Sequence, residues 1–296
     1  MVRRLIIMGK TINFKRTLAV CLALLLFGLS CIFQTNNNNA NAANTSVSYK
    51  VFNAQTGDYL RSYTLSPLSS QNNSRSGVIG TEDRVIDWSK SGVVKIIINN
   101  SGFGSGFVVD EHTIATAKHC LYDNKGLKIS DIILFNSNGG VSMHATPVES
   151  HVPVNNGDYG LITVEEDLSN YMCFNIGTFY DKYSAIGIDI SATGFPGNLN
   201  NNYNIPVNTI NSHAMYTGTG KIVAVDMNIG SVNLDFDADS TPGNSGGPIY
   251  MTETRCGKTY YTVIGIVTGM GGDYNCGKCM DTDLLHFLIS NENISY

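Results

Sequence analysis

No basic cluster follows the first sixteen residues of this chain, and charged residues make up only 15% of its 296 positions. A nucleic-acid partner needs a basic face, so that class of function is excluded. Long apolar runs are equally scarce. After Phe33 none approaches the length of a bilayer span, so the rest of the chain is expected to be soluble. Helical periodicity is almost absent. Only TDLLHFLISNE, Thr282 to Glu292, carries it, with Thr282 placed to cap it and Leu284, Leu285, Leu288 and Ile289 forming one apolar stripe. There is no internal repeat.

The one long apolar run that exists, Leu18 to Phe33, has no charge and follows Arg3, Arg4, Lys10, Lys15 and Arg16. A small-x-small site, Ala40-Asn41-Ala42, comes after it. This pattern predicts a secretory signal peptide over 1–42, and so a secreted, extracellular protein with no membrane contact once the leader is removed. The leader takes five basic residues with it. That leaves 14 basic against 24 acidic residues, a net charge of −10. Residues 43–77 are rich in Ser, Asn and Thr, show little periodicity and end in the linker-like SPLSSQNNSRSG. They are expected to be a propeptide, cut between about Arg75 and Val78.

From Val78 onward short apolar runs alternate with turns. VVKIIIN (93–99), a hairpin over 104–120 turning at Asp110-Glu111, KISDIILF (128–135) and DYGLITV (158–164) all predict strands. The second half continues with AIGIDISATGFPG, GKIVAVDMN, SVNLDFD, GGPIYM and TYYTVIGIV. Many strands with one terminal helix predict an all-β protein built from barrels rather than βαβ units.

Of seven cysteines, Cys21 and Cys31 lie in the leader. Cys120, Cys173, Cys256, Cys276 and Cys279 remain, so in an oxidising compartment at least one is unpaired within the chain. The CGKC of 276–279 has the spacing of half a zinc site. A structural site needs four ligands and no second pair exists, so no metal is expected. A disulfide from Cys256 to Cys276 or Cys279 is the expected pairing.

Chemistry concentrates in DSTPGNSGGPIY, Asp239 to Tyr250. A serine hydroxyl is a weak nucleophile and needs a neighbouring base. Its acyl-transfer transition state carries an oxyanion that needs fixed N–H donors. Gly243 permits a turn barred to most residues, which lets its N–H join that of Ser245 as an oxyanion hole. His119, at the end of IATAKHC, is the expected base. Asp158, which precedes the apolar LITV run, is the expected orienting acid, with Asp110 and Asp131 as rivals.

ATAKHC, DYGLI and DSTPGNSGGP occur in the order His, Asp, Ser. This resembles the chymotrypsin-like serine protease superfamily, and within it the bacterial glutamyl endopeptidase branch. GVIGTEDR (77–84) resembles the start of mature enzymes there, and SATGFPGN (191–198) a recurrent turn. The resemblance implies two six-stranded antiparallel β-barrels, divided near residue 180 in a protease domain over 78–296, with the active site between them and a C-terminal helix. It also implies a zymogen, the triad His119, Asp158 and Ser245, and protein or peptide substrates. No cofactor is required and a monomer is expected.

The resemblance has departures. Asn244 precedes the serine where the animal enzymes have an aspartate, so it cannot form a charge pair with a new α-amine. The partner cysteine those enzymes give to Cys120 is absent, and Gly104 stands at about its place. Val267 replaces the branch's pocket histidine. Asp239, Ser240, Val267, Thr268 and Gly271 are the expected substrate-binding residues. Acidic and basic preferences stand level, with Lys278 a possible ligand for an acidic side chain. A catalytically silent barrel that binds a host or cell-surface protein is the alternative function, and an esterase a third.

Overall fold

Period-two alternation and short glycine-bearing turns organise most of the described residues into strands, nearly all paired antiparallel. The computed structural model describes residues 47–54, 57–65, 77–79, 81–99, 102–123, 126–154, 157–171, 174–199, 214–228, 231–271, 273–290 and 294–295. The expected leader and Cys173 lie outside them. No helix among the described residues is long and apolar enough to cross a membrane.

The described chain opens with a hairpin, β1 (Val47–Asn53) and β2 (Tyr59–Leu65), and a short strand β3 (Val85–Ile86). The first barrel follows with β4 (Val93–Ile98), β5 (Gly102–Asp110) and β6 (Thr113–Thr116). A four-residue helical turn α1 (Lys118–Leu121) and the small ribbon β7 (Tyr122–Asp123) and β8 (Gly126–Leu127) come next. β9 (Ile129–Phe135), β10 (Val141–Ala145), β11 (Pro147–Pro153) and β12 (Gly160–Val164) complete it. β10 pairs with β9 and β11 with β12. Because β10 and β11 are one strand interrupted at Thr146, the ring closes as a six-membered barrel.

β13 (Asn175–Phe179) then leads to the second barrel: β14 (Asp189–Gly194), β15 (Tyr216–Asn228), β16 (Ser231–Phe236), β17 (Pro248–Arg255), β18 (Lys258–Gly271) and β19 (Tyr274–Cys279). Pairings β17–β14 and β17–β18 close this ring. Helix α2 (Thr282–Ser290) and β20 (Ile294–Ser295), which pairs with β11, end the chain.

β4, apolar except for Lys95, is buried on both faces. Val94 and Ile96 fill the first barrel with Val108, Ile132 and Ile162, while Val93 and Ile97 join the core between the barrels. A strand covered on both sides has no reason to alternate. The α2 stripe packs into that same central core as expected. Its cap differs. Asp281, not Thr282, accepts the Leu284 N–H at 3.0 Å, because the helix already includes Thr282 and so starts one residue earlier than a Thr282 cap implies.

Two further readings change: the lack of periodicity over 43–77 and the expected disulfide. Residues 47–65 form a hairpin with Val47, Tyr49 and Val51 pointing inward and almost wholly buried. The Ser and Asn content of the stretch masked this alternation. The bridge from Cys256 to Cys276 or Cys279 is not formed, and Cys120, Cys256, Cys276 and Cys279 are all free thiols. Cys256 sits at the tip of the β17–β18 hairpin, where Arg255 faces Lys258. Cys279 lies opposite Gly265 and Cys276 opposite Gly269. At roughly 3.3 Å per residue these cysteines are many ångströms beyond disulfide reach.

Candidate functional site

Adjacent strands bring His119 and Asp158 together. β6 pairs with β12 through Gly160 and Thr116. His119 follows β6 on α1 and Asp158 precedes β12, so both emerge at the same end of the first barrel. The ring Nδ1 of His119 lies 2.7 Å from Asp158 Oδ2, and the His119 backbone N–H donates to Asp158 Oδ1 at 3.0 Å. The carboxylate thus grips ring and main chain at once. Its hydrogen bond, helped by Cys120 and opposed by burial, pushes the His119 pKa up to about 10. The rival Asp131 pairs with His144 instead, at 2.7 Å.

The Ser245 loop is held from several sides. Gly243 (φ +103°) and Gly246 (φ +88°) both occupy the left-handed region. A Cβ at Gly246 would lie 2.1 Å from both the Ser105 carbonyl oxygen and Thr116 Oγ1, so a larger residue is barred there. Gly246 N–H donates to Val267 O at 2.7 Å and Val267 N–H to Gly247 O at 2.9 Å. From the first barrel, the Ser105 N–H donates to Ser245 O at 2.8 Å and the Ser105 hydroxyl to Gly243 O at 2.7 Å. The Cys120 thiol, next to His119, donates to Ser245 O at 3.6 Å. The N–H groups of Gly243 and Ser245 donate to no acceptor among the described residues.

Asn244 is wholly buried, and neither its Oδ1 nor its Nδ2 has a hydrogen-bond partner among the described residues. A neutral amide is far cheaper to bury this way than the carboxylate of an aspartate.

The expected pocket residues are engaged by the chain's own earlier segment. Asp239 is 2% exposed. Its Oδ1 accepts the Ile79 N–H at 2.5 Å and its Oδ2 the Asp83 N–H at 3.5 Å. Burial raises its pKa, with the two backbone bonds opposing. Ser240 N–H donates to Gly77 O at 3.2 Å. Asn275, buried on β19, holds the same residue from both sides: Gly77 N–H to Oδ1 at 3.3 Å and Nδ2 to Gly77 O at 2.9 Å. Arg84 adds a bond to Thr241 at 2.9 Å. Val267 is buried, Thr268 donates to Cys276 O at 3.4 Å, and Gly271 closes β18 opposite Tyr274. Lys278 does not serve an acidic ligand. It is 1% exposed and paired with Asp281.

Ser105, Thr116 and Asn275 escaped the sequence reading. Each acts through contacts with residues far away in sequence, and a lone serine after a glycine in a strand carries no local signal.

The family model described as Trypsin matches residues 78–281. A solved structure described as Glu endopeptidase in complex with MPD shares the fold. Its TM-score is 0.54 at 17% identity, covering 71% of this chain and 97% of that chain.

Proposed function

This chain belongs to the trypsin family of serine endopeptidases, and on that premise we propose that it is a secreted enzyme cleaving peptide bonds through His119, Asp158 and Ser245. The observation that carries this is the carboxylate–imidazole pair of Asp158 and His119, at 2.7 Å, beside a loop whose Gly243 and Ser245 N–H groups are uncommitted.

In this mechanism Ser245 Oγ attacks the scissile carbonyl carbon while the other His119 nitrogen, Nε2, takes its proton. The oxyanion accepts from the Gly243 and Ser245 N–H groups. His119 returns the proton to the leaving amine, which departs and leaves an ester on Ser245. Water then attacks that ester with His119 again as base, releasing the acid and restoring the hydroxyl. Asp158 fixes the ring tautomer and stabilises the imidazolium. The residue roles in the pocket follow the same reading. Both oxygens of Asp239 are occupied by backbone N–H groups, so it is poorly placed to bind Arg or Lys, and cleavage after acidic side chains is favoured. An α-amine freed near Gly77 or Val78 supplies the positive charge for them.

A fluorophosphonate probe tests the chemistry. The wild type is expected to label at Ser245, and Ser245→Ala to remain unlabelled. A folded wild type that does not label would overturn the mechanism in favour of a silent binding protein. A peptide library cut mainly after Arg or Lys would overturn the pocket reading while leaving the mechanism standing.

A further inference from the structure

Residues 47–65 lie outside the stretch matched by the family model, 78–281, yet they are built into the wall and core of the second half of the molecule. β1 pairs along five residues with β13, from Tyr49 opposite Phe179 to Asn53 opposite Asn175. On its other side, among the described residues, β13 pairs with β18 through two residues. Without β1 that edge would present a row of open N–H and C=O groups.

The side chains are set deeper still. Val47, Tyr49, Val51 and Phe52 are each 4% exposed or less. The first three join Phe179, Ile190 and Ile264 in the second-barrel core, and Phe52 joins Leu285, Leu288 and Ile289 of α2 in the central one. Tyr49 stacks on Tyr63 at 5.1 Å and meets Phe179 edge-on at 6.0 Å. Arg255 of β17 lies over the Tyr63 ring at 3.7 Å, and Arg61 over Tyr260 of β18 at 4.7 Å. These contacts run to β13, β17, β18 and α2, not to His119, Asp158 or Ser245. A segment that merely blocks a cleft until removed would be placed the other way round.

We propose that the hairpin 47–65 is a permanent part of the enzyme: a cut between Leu65 and Gly77 leaves it seated on β13 and α2, so the mature form is a noncovalent pair of chains. The cut consumes one water, breaks one amide C–N bond, and leaves a carboxylate on the hairpin fragment and an amine on the larger one. The proposal goes beyond the protease reading and needs only that the chain be cut, by whatever agent.

The test uses the full chain carrying Ser245→Ala, which removes self-cleavage, with residues 66–76 replaced by the recognition sequence of an unrelated, sequence-specific protease. After complete cutting the protein is run on size exclusion at about 1 μM. Both fragments are expected to elute together, to separate on a denaturing gel, and to melt within about 4 °C of the uncut protein. A hairpin fragment that elutes alone while the larger fragment stays folded would overturn the proposal. Tyr49→Ala in the same cut protein is expected to weaken retention at least about tenfold, through the cavity it opens. Unchanged retention would also count against it. Because the protein is silenced, neither result depends on the catalytic mechanism, which probe labelling of the wild type tests separately.

Discussion

Ser105 on β5 donates its hydroxyl proton to the Gly243 carbonyl oxygen at 2.7 Å, across the seam between the two barrels. The Ser105 Oγ itself accepts the Phe195 N–H at 3.0 Å, and the Ser105 N–H donates to Ser245 O. One wholly buried serine of the first barrel therefore ties down Gly243 and Ser245, the two residues of the proposed oxyanion hole, on the second. Thr116, three residues before His119, donates in turn to the Ser105 carbonyl at 2.7 Å. The segment leading to His119 and the Ser245 loop are thus braced through a common point.

Ser105→Ala is expected to lower kcat about 10- to 100-fold with KM little changed, because the hole serves the transition state more than the substrate. Affinity for a peptide boronate should fall by the same factor, and Ser105→Thr, which keeps the hydroxyl, should recover most of both. A fall in kcat with boronate affinity intact would remove Ser105 from that role.

Asp158→Asn is expected to cost about four orders of magnitude in kcat through the wrong imidazole tautomer. It should also move the pH profile. In the proposed mechanism neutral His119 is the active form, and the Asp158 hydrogen bond raises its pKa to about 10. The acid limb of kcat/KM should therefore lie above the ordinary histidine value of about 6.5 and drop when the carboxylate is removed. The stability from the pair has the matching sign. It is full below about pH 6.5 and is lost as pH rises through the folded pKa. A pH–rate series on both proteins decides it, and an unmoved limb contradicts the assignment.

Gly104→Cys should supply the partner that Cys120 lacks. An added Cβ at Gly104 lies 3.6 Å from Cys120 Cβ and 2.8 Å from its Sγ, which matches disulfide geometry. Closing this loop should stabilise the fold by about 3 kcal/mol under oxidising conditions. The check is a rise in Tm that reductant abolishes, together with loss of two free thiols. Persistence of both thiols after oxidation would refute the geometry.

Lys95→Met is expected to raise Tm, most strongly at acidic pH. Lys95 is wholly buried on β4, with its ammonium over the Phe103 ring at 4.6 Å, and burial lowers its pKa to about 7. Between about pH 7 and the unfolded value of about 10.4 the unfolded chain binds more protons than the folded one, so wild-type stability rises with pH there. The penalty is greatest below pH 7, and the advantage of methionine should shrink as pH climbs. Melting curves from pH 6 to 10 that run parallel for the two proteins would contradict this.

Local pattern carried much of the architecture. The apolar residues around Lys95 in β4, the hairpin from β5 to β6 and the stripe of α2 each follow a pattern that burial imposes on neighbouring residues. His119, Asp158 and Ser245 stand out in the sequence as candidates for a related reason: glycine, small residues and a strand start must lie close in sequence to such side chains for the backbone to present them. The family match extends only to the fold and its chemistry, and the pairing of Asp158 with His119 is a distance that no stretch of residues states.

What remained hidden depends on contacts between segments far apart in the chain. Asp239 looked like the charged floor of a pocket, but the N–H groups of Ile79 and Asp83 take its oxygens from 160 and 156 residues away. Ser105 bridges 138 residues to Gly243. Cys256 and Cys279 seemed ready to pair, yet a 14-residue strand holds them at different points along its length. The hairpin 47–65 shows the same limit, since its alternation was present but what it packs on begins more than a hundred residues later. Periodicity is a property of neighbours and survives in one dimension. Hydrogen-bond partners, disulfide reach and the faces that cover one another are set only when the barrels close and bring distant strands to within a few ångströms.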